Sequence, residues 1–442
     1  MTISLKTVDD LPTIQFPENY ARDRLRFFSQ MAREHGPIFK HDWPDGGRVV
    51  FLVGPEANKF VMQTQREHFS HDLGWTPHVG EIMGKGLLNM DPPEHDRHRK
   101  MMNPAFTIAY MSRYLPIMNR VIAERSRDWA ARDEVDLYEE ARKITFDVAA
   151  ETLVGFRTGP TVDHLRDLFY ALLHAGEDAN ISSDEEWLAH VLPVRDRLQP
   201  VLYQLIAERR GIPENDRSDI LAMMVNARDE NGDALSDEQL LAHVNILLVA
   251  GHETTTTLSS WLLYLLATHP DQLQEVRAEI DRVLATNDEI TMEAIRAMRT
   301  LGYAVQEAGR IAPPVAMLPR GVLSDVEFGD YMLPAGTYVF LVVGAPHWEP
   351  AFFAEPERFD FHRFAPPREE DKRTPYALAT FGGGPRICIG VNFAQVEVKA
   401  MAAHVLRHYD LEPAAPEETV QIYPGLLGQP EHGIRVRVKR RV

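Results

Sequence analysis

Apolar residues recur every three or four positions along most of this chain, and that period predicts helix for the larger part of it. Between residues 114 and 210 the spacing predicts several helices, and Gly211-Ile212-Pro213 marks a break after them. A longer helix is predicted to start at Ser236, where Ser236-x-x-Gln239 has the form of a reciprocal cap, and to stop at His269-Pro270. Residues 272–286 and 292–307 predict two more. Elsewhere the period drops to two. Residues 38–43 and 48–53 read as strands joined through Pro44-Asp45-Gly46-Gly47, a hairpin turn. Short strand-like pieces follow in 315–343, punctuated by Gly329, Pro334 and Gly336. Near the end, Ile434, Val436 and Val438 alternate with Arg435, Arg437 and Lys439. The predicted class is mainly α with a small β region. No repeat and no Gly/Ser-rich or Pro-rich linker interrupts the pattern. Residues 1–442 are therefore read as one domain, although single cores ordinarily stop growing at roughly 250–300 residues.

Composition narrows the function classes. A formal net charge of −18 argues against general nucleic-acid binding, which needs a concentrated basic face. Basic residues do cluster in Arg97-His98-Arg99-Lys100 and Lys439-Arg440-Arg441, either as solvated surface or as docking faces for an acidic partner. The start of the chain, with Lys6, Asp9 and Asp10, has no secretory or membrane-anchor pattern. The apolar runs 246–251 and 258–267 are separated by His252, Glu253 and four threonines, too polar for a bilayer span. A cytoplasmic protein is expected, and a single cysteine suits that compartment.

That cysteine, Cys388, lies in Phe381-Gly-Gly-Gly-Pro-Arg-Ile-Cys-Ile-Gly390, ahead of a helical stripe of Val391, Ala394, Val398, Met401 and Val405. A thiol near a helix N-terminus is stabilised as thiolate, and successive glycines let backbone approach a large flat ligand. On cysteine count alone a buried structural cysteine is the commoner reading; the loop around it favours a metal ligand. The loop resembles the Phe-x-x-Gly-x-Arg-x-Cys-x-Gly pattern of the haem-thiolate monooxygenases, the cytochrome P-450 superfamily, in its soluble bacterial form. Phe381, Gly384, Arg386, Cys388 and Gly390 match it.

Other segments extend the resemblance in family order. Ala250-Gly251-His252-Glu253-Thr254 is similar to the dioxygen-activating Ala-Gly-x-Asp/Glu-Thr, implying that Thr254 serves oxygen activation and Glu253 relays protons. Taken alone it is a polar stripe on a buried helix; glycine and the β-branched Thr254–257 are expected to loosen the helical ladder there. Glu307-Ala-Gly-Arg310 and Pro356-Glu-Arg358-Phe359 resemble the Glu-x-x-Arg helix and its later arginine. The resemblance implies a buried cluster of Glu307, Arg310 and Arg358 holding the cysteine loop. Gly309 departs from the family's larger apolar residue, at a helix cost of about 1 kcal/mol. Asp91-Pro92-Pro93-Glu94-His95-Asp96-Arg97-His98-Arg99 implies His95 and Arg99 as partners of haem propionates, with Arg320 and Arg386 as further cations. His98 and His252 are read as ordinary, partly exposed histidines and not as metal ligands.

The resemblance implies a triangular helical prism enclosing haem b, iron protoporphyrin IX, with Cys388 as metal ligand. It implies insertion of one oxygen atom from O2 into a C–H bond, by hydroxylation or epoxidation, of a hydrophobic small molecule. One cysteine is too few for an iron–sulfur cluster, and no Gly-x-Gly-x-x-Gly unit for a flavin or nicotinamide appears. No fused reductase is therefore expected. Electrons are expected from a separate ferredoxin or flavodoxin with its reductase, docking on the thiolate side, against residues 97–100; the protein itself is expected to be a monomer. Val249, Ala250, residues 315–317 and residues 424–427 are candidates to face substrate, with 70–88 and 168–198 as a mobile roof. A peroxide-driven peroxygenase and a haem carrier or sensor are the alternatives. Glu253-Thr254 argues against the first, and the second needs no proton relay.

Overall fold

The hairpin forms as its alternation requires. Ile38–Asp42 pairs antiparallel with Arg48–Val53, Phe39 lying opposite Phe51. The Trp43 amide donates to Gly47 O at 2.7 Å, and Gly46 turns the corner at φ +89°, a conformation that favours glycine. Arg48–Val53 then runs parallel to Tyr338–Val342, followed across the sheet by Leu318–Val322 and Phe69–Ser70. Five consecutive apolar residues, Val49 to Val53, mark a strand buried on both faces. Val50 and Leu52 join one core with Val339 and Leu341; Val49, Phe51 and Val53 join another with Phe28 and Phe39. The C-terminal alternation becomes Arg435–Arg440, with Val436 and Val438 buried, between Tyr409–Pro413 and Val135–Asp136. A mainly helical chain with small sheets is the observed class.

This computed structural model describes residues 5–18, 20–173, 183–212, 219–285, 289–423, 425 and 427–441. Pro213 and Thr286, parts of the expected roof and substrate segments (174–182, Pro424, Leu426) lie outside them. Contacts gather the chain into two compact units: Met1–Gly74 with Ser126–Ala141 and Thr254–Val442, and Trp75–Arg125 with Arg142–Glu253. All the described sheets belong to the first; the second is built from helices.

The long helix is Asp237–Thr268, and its reciprocal cap is present. Ser236 N–H donates to Gln239 Oε1 at 3.0 Å, and Gln239 N–H to Ser236 Oγ at 3.1 Å. It runs as regular α-helix through Thr254–Thr257, without the loosening expected there. The single helix predicted over 292–307 is instead two, Met292–Ala297 and Arg299–Ile311. Glu279 explains the break. Its buried carboxylate accepts from the amides of Arg299, Thr300 and Leu301 at 2.9–3.0 Å, capping a new helix start from a distant part of the chain. Among the described residues no helix is long and apolar enough to cross a membrane.

Candidate active site

Within the first unit, a buried ion cluster supports the approach to the cysteine loop. Glu307 and Arg310 are three apart on Arg299–Ile311 and both fully buried, with Arg310 Nε and Nη2 each donating to the carboxylate at 2.8 Å. The third member is Arg363, not Arg358. Arg363 Nε donates to Glu307 Oε1 at 3.0 Å and its Nη1 to buried Glu370 at 2.8 Å. Arg358 keeps 62% of its side chain exposed, pairs with Glu355, and contributes its backbone carbonyl to Arg310 and Arg363. The motif match at Arg358 fell on the wrong cation because Phe359, Phe361 and Phe364 draw the following turn inward and carry Arg363 with it.

From this cluster hydrogen bonds lead to the loop. Arg310 Nη1 donates to His347 O at 2.8 Å, and His347 Nε2 accepts the Ala379 amide at 3.2 Å. His347 therefore carries its proton on Nδ1, toward Arg310 O at 3.2 Å. Burial, with Arg310 alongside, pushes its pKa down to about 3. Next in the chain, Thr380 Oγ1 donates to Gly309 O at 3.3 Å. A Cβ on Gly309 would meet Thr380 Cγ2 at 2.8 Å, so the glycine makes room for the residue just before Phe381.

The loop is rigid for definite reasons. Gly382 and Gly384 have φ of +73° and +63°, and a Cβ on Gly384 would stand 2.2 Å from Met62 O. Cys388 N–H donates to Phe381 O at 2.9 Å, closing the loop on itself. Cys388 is exposed beside exposed Ile387, two residues before Gly390 at the N-cap of Val391–His408. Arg386 is half-buried in the loop, and Arg320 is buried on Leu318–Val322, its Nη1 donating to Pro319 O at 2.6 Å.

In the second unit, Glu253 is buried between two nitrogenous partners. Arg142 Nε donates to its Oε1 at 3.1 Å, and His252 Nε2 lies 2.9 Å from the same oxygen. The Arg142 guanidinium covers the Tyr170 ring at 3.6 Å. No local pattern announces Arg142, because it lies 111 residues from Glu253 in sequence. Ala250 is exposed and Thr254 half-buried, one turn apart on one face of the long helix, while His252 and Thr255–Thr257 are buried. A half-buried threonine thus follows directly after a buried, ion-paired acid.

On Glu94–Met102, His95 and Arg99 are one turn apart; His95 is buried, with Nδ1 2.7 Å from Asp96 Oδ1, and Arg99 is half-buried. His98 and His252 are fully buried, contrary to the expectation of partial exposure. His98 Nδ1 meets His243 Nε2 at 2.9 Å, on the inward face of its helix; burial pushes the His243 pKa down to about 3. The basic run is charge-compensated, Arg97 bonding to Asp229 and Lys100 to Glu230 at 2.8 Å. Lys439 and Arg441 are likewise paired, with Glu412 and Asp281.

A haem fits this donor set. One soft sulfur, exposed on a rigid glycine loop at a helix N-terminus, suits an iron whose other donors come from a macrocycle. Among the described residues no group of three or more His, Cys, Asp or Glu side chains gathers to hold a bare metal ion. The loop and its buried brace suit a haem-thiolate oxidoreductase. The family profile Cytochrome P-450 matches residues 13–438, and the chain belongs to that family of haem monooxygenases, which act on a substrate with O2 and electrons from redox partners. Cytochrome P-450 136 of Mycobacterium tuberculosis (strain CDC 1551 / Oshkosh) is 31% identical over 83% of this chain and 75% of its own. The sterol 14alpha-demethylase of Mycolicibacterium vanbaalenii is 27% identical over 96% of this chain and 95% of its own. Among solved structures, retinoic acid bound cyanobacterial CYP120A1 superposes with TM-score 0.86 at 27% identity, covering 99% of this chain and all of that one.

Proposed function

We propose that this protein inserts one atom of O2 into a C–H bond, by hydroxylation or epoxidation, of a hydrophobic small molecule. Electrons come from a separate ferredoxin or flavodoxin with its reductase, in the cytoplasm, and the enzyme works as a monomer with haem b. Cys388 ligates the iron; His95, Arg99, Arg320 and Arg386 serve the propionates; Phe381, Gly384 and Gly390 shape the loop, and Ala250 lines the haem face. When bound, the haem supplies the metal at which dioxygen is activated. The chain's part is proton delivery: Glu253 Oε1 passes a proton outward along the helix, and the Thr254 hydroxyl positions the group that receives it. The observation that carries this reading is a half-buried Thr254 directly following a buried, ion-paired carboxylate. Partner docking against residues 97–100 would have to open the pairs Arg97–Asp229 and Lys100–Glu230.

The substrate class to test first is an isoprenoid-derived lipophile, since one relative is named for a sterol and one similar structure holds retinoic acid. A spectral screen of sterols, retinoids, terpenes and fatty acids against the purified protein tests this, the expected result being a low-to-high-spin Soret shift. With the compound found, Thr254→Ala is expected to consume reductant and release peroxide with little product. Full coupling in that variant overturns the assigned role.

A further inference from the structure

Three protonation states are open to the His252 ring, and its two polar contacts choose among them. Nδ1 lies 2.5 Å from Leu248 O, a carbonyl one turn back that only accepts, so Nδ1 must carry a hydrogen. Nε2 lies 2.9 Å from Glu253 Oε1, and an ionised carboxylate also only accepts. A neutral ring protonated at Nδ1 sets a nitrogen lone pair against the carboxylate; one protonated at Nε2 sets a lone pair against the carbonyl. Both contacts become hydrogen bonds only when a proton lies at each nitrogen, or when the second sits on Glu253 Oε1 itself. The ring has no easy escape. Phe146 meets it edge-on at 5.1 Å and Tyr170 stacks at 6.2 Å, and the residue is fully buried.

We propose that His252 and Glu253 together hold one proton beyond the complement of a neutral imidazole and an ionised carboxylate, and that His252 is the positioning residue that stores it. Titratable groups facing the pair include the guanidinium of Arg142, from Leu137–Val154, and the phenol of Tyr170, from Pro160–Leu173. Arg142 donates to the same carboxylate oxygen, so the carboxylate is offset by a guanidinium and an imidazolium. At rest the proton is placed on Nε2, where the ring donates to both Leu248 O and Glu253 Oε1. When the relay acts, the proton passes from Nε2 to Oε1 and on toward Thr254, leaving a neutral ring; solvent later restores it. The buried acid is thus supplied from a store one residue away. This role rests on the monooxygenase reading above, whereas the stored proton itself does not.

Nitrogen-15 histidine spectra of the holoprotein, in its diamagnetic reduced carbonyl form at about pH 7.5, read the store directly. The signals are assigned by their loss in His252→Gln and their displacement in Glu253→Gln. The expected result is a ring protonated at both nitrogens; a neutral ring with an infrared protonated-carboxyl band that disappears in Glu253→Gln would put the proton on Glu253 and overturn storage at His252. A neutral ring without that band overturns the proposal. The role is read separately from coupling of reductant to product. His252→Gln keeps a hydrogen-bond donor but cannot store a proton; its coupling is expected to fall about tenfold at about pH 8 and to recover toward about pH 6, where solvent supplies protons. Coupling equal to the unmodified enzyme at both values overturns the role. A missing thiolate-type carbonyl band would instead count against the haem-thiolate reading, and leaves the histidine spectrum interpretable.

Discussion

Replacing Arg363 by leucine and, separately, Arg358 by leucine sets the buried brace against its exposed neighbour. Arg363 donates to Glu307 at 3.0 Å, to Glu370 and Ala354 O at 2.8 Å, and to the carbonyls of Glu355 and Arg358 at 3.3 and 3.1 Å. Its loss leaves Glu370, 2% exposed, with Arg368 as its cation, and strands the carbonyls of Ala354, Glu355 and Arg358. Breaking one side of a buried pair costs about 3–5 kcal/mol. The Arg358–Glu355 pair is 3.5 Å long, with side chains 62% and 72% exposed, a geometry worth about 0–1 kcal/mol. Urea titration followed by tryptophan fluorescence and by the reduced carbonyl spectrum measures both. A large shift for Arg363→Leu beside an almost unmoved midpoint for Arg358→Leu is expected. Equal shifts, or a larger one for Arg358→Leu, would refute the assignment of Arg363 to the cluster.

Gly309→Leu is expected to destabilise by about 1–3 kcal/mol, since its Cβ meets Thr380 Cγ2 at 2.8 Å and the helix-propensity gain is smaller; thermal melting checks it. Glu397 is fully buried on the helix after Cys388, neither carboxylate oxygen has a hydrogen-bond partner among the described residues, and burial raises its pKa well above 4.5. Its acid form favours the fold fully below pH 4.5, and that contribution is lost as pH rises through the elevated folded value. Glu397→Gln should therefore gain stability over the unmodified chain between about pH 5 and about pH 8, read from denaturation midpoints. His404 goes the other way. Burial, with His408 nearby, lowers its pKa from 6.5 to about 4, so its contribution is complete above 6.5 and lost as pH falls through 4; His404→Gln should make acid unfolding shallower over that window.

The hairpin, the reciprocal cap of the long helix and the alternating C-terminal strand were legible because each depends on neighbours in sequence. The break at Met298 was not, since the carboxylate that caps the new helix belongs to Glu279. The same distinction runs through the site. Cys388, Glu253, Thr254 and the Glu307–Arg310 pair lie in short motifs, whereas Arg142, His347 and Arg363 take their roles from packing between distant segments. His98 and His252 look polar in the sequence, but the helix faces they occupy turn inward, where His243, Glu253 and Leu248 O satisfy them. The threonine run keeps regular helix, as does Ser260, whose hydroxyl donates to Thr256 O at 2.6 Å without displacing the backbone ladder.

Thiolate ligation by Cys388 is the claim on which the functional account stands, and the carbonyl spectrum of the reduced, haem-loaded protein tests it most directly. The account predicts the red-shifted Soret band of a thiolate ligand in the unmodified protein and its loss in Cys388→Ser. A band of the imidazole-ligated kind, or a thiolate-type band that survives Cys388→Ser, would contradict it.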